Sequence, residues 1–315
     1  PFLPQAAQPK AGEKRATFVP NEPNRGGFPP EPRHGFRGRS RELLDLERSL
    51  NKNCIEIIHG FGGQGKTALG AYAARWLVRT GRFDRAVFVS FESGAGIDAA
   101  LAEMGTALVG KDFKIQEGDP LKAIEEELAK IPTLVVWDNF ETILPGGSIP
   151  LPSEDLQRLL EAGYRWFGQS GIGEHEGRMP KSCLMVTTRN PDIPHEAFIP
   201  GARCGHYPLP GLSPIDSLEL AGSILSNLNI PRPDRESLSQ LLYFLGDHPL
   251  SIQLVIPHLG QGKTVEQLID DFDADTRREA VRIAKGAPYH GRIPLEVSGG
   301  VDMTTLRGIA EDGVD

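Results

Sequence analysis

The stretch Cys54-Ile-Glu-Ile-Ile-His-Gly-Phe-Gly-Gly-Gln-Gly-Lys-Thr67 decides how the rest of the chain is read. A short apolar run leads into Gly-x-x-x-x-Gly-Lys-Thr, and an Ala-rich segment with helical character follows to about Thr80. Gly60, Gly62, Gly63 and Gly65 leave the backbone free of Cβ atoms, so consecutive N–H groups can turn inward and cradle an anion. Lys66 adds a point charge for terminal phosphates, and the Thr67 hydroxyl is a ligand type that Mg2+ accepts. The helix expected from Gly65 aims the positive end of its dipole at the same place. Phe61, Gln64 and Ala68 complete the loop as candidate binding residues. Strand, glycine loop and helix in this order read as a phosphate-binding loop.

Outward from the loop, strands and helices alternate. Strands are expected at 54–59, 86–91, 133–138 and 182–188, and helices at about 66–80, 97–109, 121–130 and 154–167. Continuous apolar strands separated by helices imply a parallel sheet covered on both faces, with ligands at the carboxyl ends of its strands. The fold class expected is therefore α/β, a parallel sheet of the P-loop NTPase kind flanked by helices. Leu134-Val-Val-Trp-Asp138 ends in an acid about 70 residues after the loop, which is how the Mg2+-side carboxylate of such a protein is presented. Thr67 and Asp138 are thus the candidate metal ligands. Glu141 is read either as the group that orients or deprotonates an attacking water or as a surface carboxylate. Asn139 cannot act as a base. Met185-Val-Thr-Thr-Arg189 ends the fourth strand beside the loop, where Arg189 is either a sensor of the γ-phosphate or a solvated side chain.

The remainder bounds the class of molecule. Residues 1–34, with Pro1, Pro4, Pro9, Pro20, Pro23, Pro29, Pro30 and Pro32, read as an extended linker with something before it. Ser40 is a cap candidate for a short amphipathic helix carrying Leu43, Leu44, Leu46 and Leu50. The nucleotide-binding domain is expected over 35–210. A helical subdomain follows over 211–275, with helices near 214–227, 235–245, 249–258 and 264–272, and 276–315 is left as a separate C-terminal segment. No run of 18 apolar residues suggests a membrane span. Cys54, Cys183 and Cys204 are scattered without a Cys-x-x-Cys pair, which fits core packing in a reduced, cytoplasmic compartment. A formal charge of −8 is the basis for expecting no direct nucleic-acid contact.

With Gly60 to Thr67, Asp138 and Thr187-Thr-Arg189 in this order, the chain resembles the STAND class of signalling NTPases, the group containing NB-ARC and NACHT domains. Phe36-Arg37-Gly38-Arg39 resembles that family's Phe-Val-Gly-Arg element, which implies that these residues lie beside the adenine. Gly246-Asp-His-Pro-Leu250 resembles its Gly-Leu-Pro-Leu motif, which implies that Pro249 touches the base. Phe83 to Phe91 and Trp137-Asp-Asn-Phe-Glu141 look like bacterial members, which often carry a CHAT or TIR effector on one side and TPR-like repeats on the other. The resemblance covers about 36–250. Asn139 departs from it, since many members have a second acid there, and the winged-helix domain is not recognisable before Asp315. Leu295-Glu-Val-Ser-Gly-Gly-Val-Asp302 and Ile309-Ala-Glu-Asp-Gly-Val-Asp315 look similar to a strand-helix unit of quinolinate phosphoribosyltransferase. One such unit cannot close an eight-unit barrel, so that activity is not expected.

The resemblance implies an ATP/ADP-binding switch with Mg2+ and slow hydrolysis, in which Lys66, Asp138, Glu141 and Arg189 carry the chemistry. It also implies effector and sensor domains outside this chain and a homo-oligomer on activation. Two alternatives stay open. One is a turnover ATPase or kinase; the other is the core of a transcription regulator whose DNA-binding domain lies elsewhere.

Overall fold

The four expected strands form as β1 (Ile55–His59), β2 (Arg85–Ser90), β3 (Thr133–Asp138) and β4 (Cys183–Thr188) in a computed structural model. It describes residues 27–271 except 95, 111–112, 115–118, 169–181 and 202. The part of the expected linker before residue 27 and the stretch after 271, including 291–315, lie outside the described residues.

Every residue of β3 and β4 is buried, as continuous apolar runs require when helices cover both faces of a sheet. A fifth strand, β5 (Cys204–Pro208), was not expected. Its Cys-Gly-His-Tyr-Pro sequence has no apolar run, and it pairs on one side only, where partial burial and a terminal proline are tolerated. The order β2-β3-β4-β1-β5 is parallel throughout. β4 therefore stands between the loop strand β1 and the acid strand β3. This brings the ends of all three strands together, although about 70 residues separate Thr67 from Asp138 in sequence.

Successive strand residues face opposite layers. Val135 and Trp137 pack with α3 (Ile97–Leu108), α4 (Pro120–Lys130) and α5 (Ser153–Gly163). Leu134 and Val136 pack with α1 (Ser40–Leu50) and α2 (Lys66–Arg79). Each such side chain fully withdrawn from water stabilises the fold by roughly 1.5–3 kcal/mol, so the two layers fix the sheet firmly. Cys54, Cys183 and Cys204 are buried free thiols within these layers, and burial pushes Cys183 and Cys204 up to about 12.

The start of α1 differs from expectation. Ser40 is its first residue, and the capping position is held by Arg39 in the left-handed region, with φ 64° after Gly38 at 69°. Two successive left-handed residues turn the chain, and this points Arg39 inward rather than leaving a serine hydroxyl to cap.

Beyond Leu209 the chain builds α6 (Pro214–Asn227), α7 (Arg235–Phe244), α8 (Pro249–Val255), a 3-10 turn (Ile256–Gln261) and a helix over 265–271. Ser213, Asp234 and His248 cap the first three through side-chain acceptors. Leu220, Ile224, Leu238, Leu242 and Ile252 give this module its own core. No described helix is long and apolar enough to cross a membrane.

Candidate functional site

The glycine loop joins the carboxyl end of β1 to α2. Gly65 takes φ 87° at the cap of α2 and presents no side chain there, so the first-turn N–H groups face the loop without an internal acceptor. No acidic residue stands in that turn to compete for an anion. Lys66 is buried, and its Nζ donates to the carbonyls of Gly60 and Phe61 at 2.8 Å each. Its charge is thereby held inside the loop, where a phosphate would arrive.

Asp138 is 1% exposed at the end of β3. Thr187 on β4 donates to its Oδ1 at 2.5 Å, and the Thr67 hydroxyl is hydrogen-bonded to the same carboxylate. Burial raises the Asp138 pKa, the two hydroxyls work against that rise, and the charges of Glu141 and Glu92 add to it. A hydroxyl and a carboxylate in contact at the foot of the loop are a fitting pair of hard oxygen donors. With phosphate oxygens and water they would hold Mg2+, which offsets the carboxylate's buried charge and the charge of a phosphate chain.

Glu141 and Arg189 meet across the mouth. Arg189 Nε lies 3.2 Å from Glu141 Oε1, and the guanidinium packs over Gly62 so closely that a Cβ there would sit 3.1 Å from its Cζ. Glu141 Oε2 is buried with no hydrogen-bond partner. Asn139 lies between Asp138 and this pair in the left-handed region, with φ 56°, and its backbone N–H donates to Thr187 Oγ1. Glu92, just past β2, joins Asn139, Glu141 and Arg189 around a second hollow of about 530 Å3.

The loop opens into a cavity of about 320 Å3. Of the residues expected at the site, Gly62, Gly63, Gly65, Lys66, Thr67, Ala68, Arg189 and Pro249 line it. The others lie apart from its wall. Phe61 is largely exposed on the outer side of the loop. Phe36 stacks on Tyr72 with ring centres 4.1 Å apart, and it is Tyr72 that reaches the cavity. Arg37 is paired with Glu219 at 3.7 Å, and Gly38 packs against Asp216. Arg39 is buried and ties three parts together: it donates to Glu42, to the carbonyl of Gln64 in the loop, and to the carbonyls of Pro210 and Gly211 leading into the helical module.

Sequence reasoning missed several wall residues. Pro29, Pro30, Glu31 and Pro32 line the cavity, held by Arg75, which donates to the Pro29 carbonyl at 2.7 Å and sits over the Phe28 ring. Prolines without apolar periodicity give no signal of such docking. Leu250 and Gln253 of α8 line the opposite side, where the helical spacing from Pro249 was a usable sign.

No family model matches the chain, and none of the curated proteins does. Solved structures are similar in fold. The Walker-type ATPase PABY2304 of Pyrococcus abyssi superposes with a TM-score of 0.54 at 13% identity, over 82% of this chain and 77% of that one. The Aeropyrum pernix ORC2 protein, solved in ADPNP and ADP complexes, gives 0.50 at 15% identity, over 92% and 70%. The fold is thus that of P-loop NTPases, as expected; no STAND subclass follows from it. One expectation is corrected. Aeropyrum pernix ORC1, similar at 13% identity and a TM-score of 0.48 over 88% of this chain and 83% of that one, was solved in complex with DNA. The expectation of no direct nucleic-acid contact is set aside, since a charge of −8 summed over the whole chain does not fix the sign of charge on any one face.

Proposed function

We propose that the chain binds ATP and ADP with Mg2+ in the cavity between the sheet and the helical module and works as a slow switch of the STAND type. The carrying observation is that one cavity is walled by Lys66 and Thr67 on one side and by Pro249 and Leu250 on the other. A ligand spanning both lobes biases their relative placement only by contacts it makes differently in two states, and the terminal phosphate is the group that differs. Lys66 neutralises the phosphate chain, Thr67 and Asp138 take the metal, and Arg189 meets the γ-phosphate. Asn139 supplies no proton acceptor, which supports slow hydrolysis and a long-lived bound state. In this reading the effector and sensor lie outside the described residues, and activation brings copies of the chain together.

Identifying the nucleotide that co-purifies with the chain tests the reading. Tightly held ADP is the expected result; an empty site with Lys66 intact, or a preference for GTP, overturns it. A turnover ATPase is the second reading, favoured by the buried, partnerless Glu141 Oε2 beside Asn139. A steady-state turnover of about 1 s⁻¹ or faster would select it, since that is the range of working enzymes.

A further inference from the structure

His248 caps α8 and, with the other edge of its ring, touches the phosphate loop. Its Nδ1 faces Ser251, accepting from the backbone N–H at 3.3 Å with the hydroxyl 3.0 Å away. Its Nε2 lies 2.8 Å from the Gly62 carbonyl, which can only accept, so Nε2 carries a proton and donates it there. The next peptide is held as well, since the Leu250 N–H donates to the Gly63 carbonyl at 3.3 Å. Packing is close: a Cβ on Gly63 would lie 2.7 Å from both His248 Cε1 and Leu250 Cβ. His248 is buried, so the contact is shielded from water.

A trans peptide directs its C=O and the following N–H to opposite sides. Among the described residues no cis peptide occurs, so fixing the Gly62 oxygen on His248 turns the Gly63 N–H the other way. Glycine pairs have little resistance of their own to rotation of that plane. We propose that His248 is a positioning residue that sets the Gly62–Gly63 peptide so that the Gly63 N–H faces the bound phosphate. The anion cradle is thereby complete only when the helical module is docked on the loop. This rests on the nucleotide reading above and adds the route by which module position and phosphate affinity are linked: loss of either contact loosens the other, as reciprocity of coupled sites requires.

Two substitutions separate the two edges of the ring. His248→Asn keeps a cap acceptor for Ser251 but is too short to reach Gly62, whereas His248→Gln restores a donor near the Nε2 position. With fluorescent N-methylanthraniloyl-ADP and Mg2+, His248→Asn is expected to bind about fivefold more weakly than wild type and His248→Gln within about twofold, the scale of one neutral hydrogen bond. Equal affinity of wild type and His248→Asn overturns the assignment. Hydrogen exchange of the 60–65 backbone in the nucleotide-free chain reads the same coupling independently: it should rise in His248→Asn and not in His248→Gln, and unchanged exchange overturns the proposal. Absence of nucleotide binding by the wild type would sink the nucleotide reading instead, leaving the exchange measurement to judge His248.

Discussion

Arg189 and Glu141 form an ion pair of unequal burial: the carboxylate side chain is 19% exposed and the guanidinium side chain 66%. Such a pair is screened from the arginine side and holds it weakly, so a phosphate entering over Gly62 competes on good terms for the same guanidinium. Arg189→Ala should weaken ATP by about tenfold and leave ADP within about twofold, the scale of a charge-assisted hydrogen bond. Glu141→Gln should strengthen ATP by about threefold by removing the competitor. Calorimetric titration with each nucleotide checks both, and equal losses for ATP and ADP in Arg189→Ala would place the arginine away from the γ-phosphate.

Asp138 is held at a cost to stability that a bound metal would relieve. Its pKa is raised by burial, so the associated stability is fully present below the unfolded carboxylate range and is lost as pH rises through the folded value. At neutral pH the ionised form therefore opposes folding of the empty protein. Asp138→Asn should raise the melting temperature without nucleotide and shrink the further rise that ADP with Mg2+ produces. A variant less stable than wild type at pH 7 in the absence of ligand would contradict this account.

The sheet was legible because its strands are buried on both faces and so read as unbroken apolar runs; Leu134 to Asp138 announces both strand and site. β5 was not legible, since an edge strand can be built from Cys204, His206 and Tyr207 without such a run. The cavity-lining loop residues Gly62, Gly63 and Gly65 to Ala68, and the pairing of Thr67 with Asp138, follow from spacing alone. The proline wall does not, because Pro29 to Pro32 arrive there through tertiary packing by Arg75. Arg39 illustrates the difference: its motif marked it beside a base, while its guanidinium binds the carbonyls of Gln64, Pro210 and Gly211.

Glu56 lies buried in the loop strand, paired in register with Gly205 of β5, and hydrogen-bonded by Ser49, which in turn accepts from Asn53 at 2.9 Å. Burial is the main cause of a pKa raised to about 7, with the Ser49 and Asn53 side chains opposing it. A folded value above the unfolded one means that stability is fully present below about 4.5 and is lost as pH rises through 7. The displacement corresponds to on the order of 3 kcal/mol. Glu56→Gln should flatten this part of the profile, matching wild type near pH 5 and exceeding it at pH 8 in urea unfolding. Parallel curves for the two proteins would mean that other groups govern the alkaline side.

The segment 28–34 spans both lobes. Phe28 packs on Phe88 with ring centres 5.3 Å apart, and Arg75 holds the Pro29 carbonyl. At its other end, Ser223 on α6 donates to the His34 carbonyl at 3.0 Å. Proline fixes φ, so the stretch between these anchors resists bending and is carried along when either lobe moves. Arg75→Ala removes the cation–π contact and the hydrogen bond that fasten it to α2, interactions worth about 1 kcal/mol apiece. Release of fluorescent ADP should become about thirtyfold faster, the combined scale of those two contacts. Trypsin should also cut sooner after the exposed Arg33, with nucleotide restoring protection in wild type but less in the variant. If release and cleavage both match wild type, residues 28–32 border the site without gripping its contents.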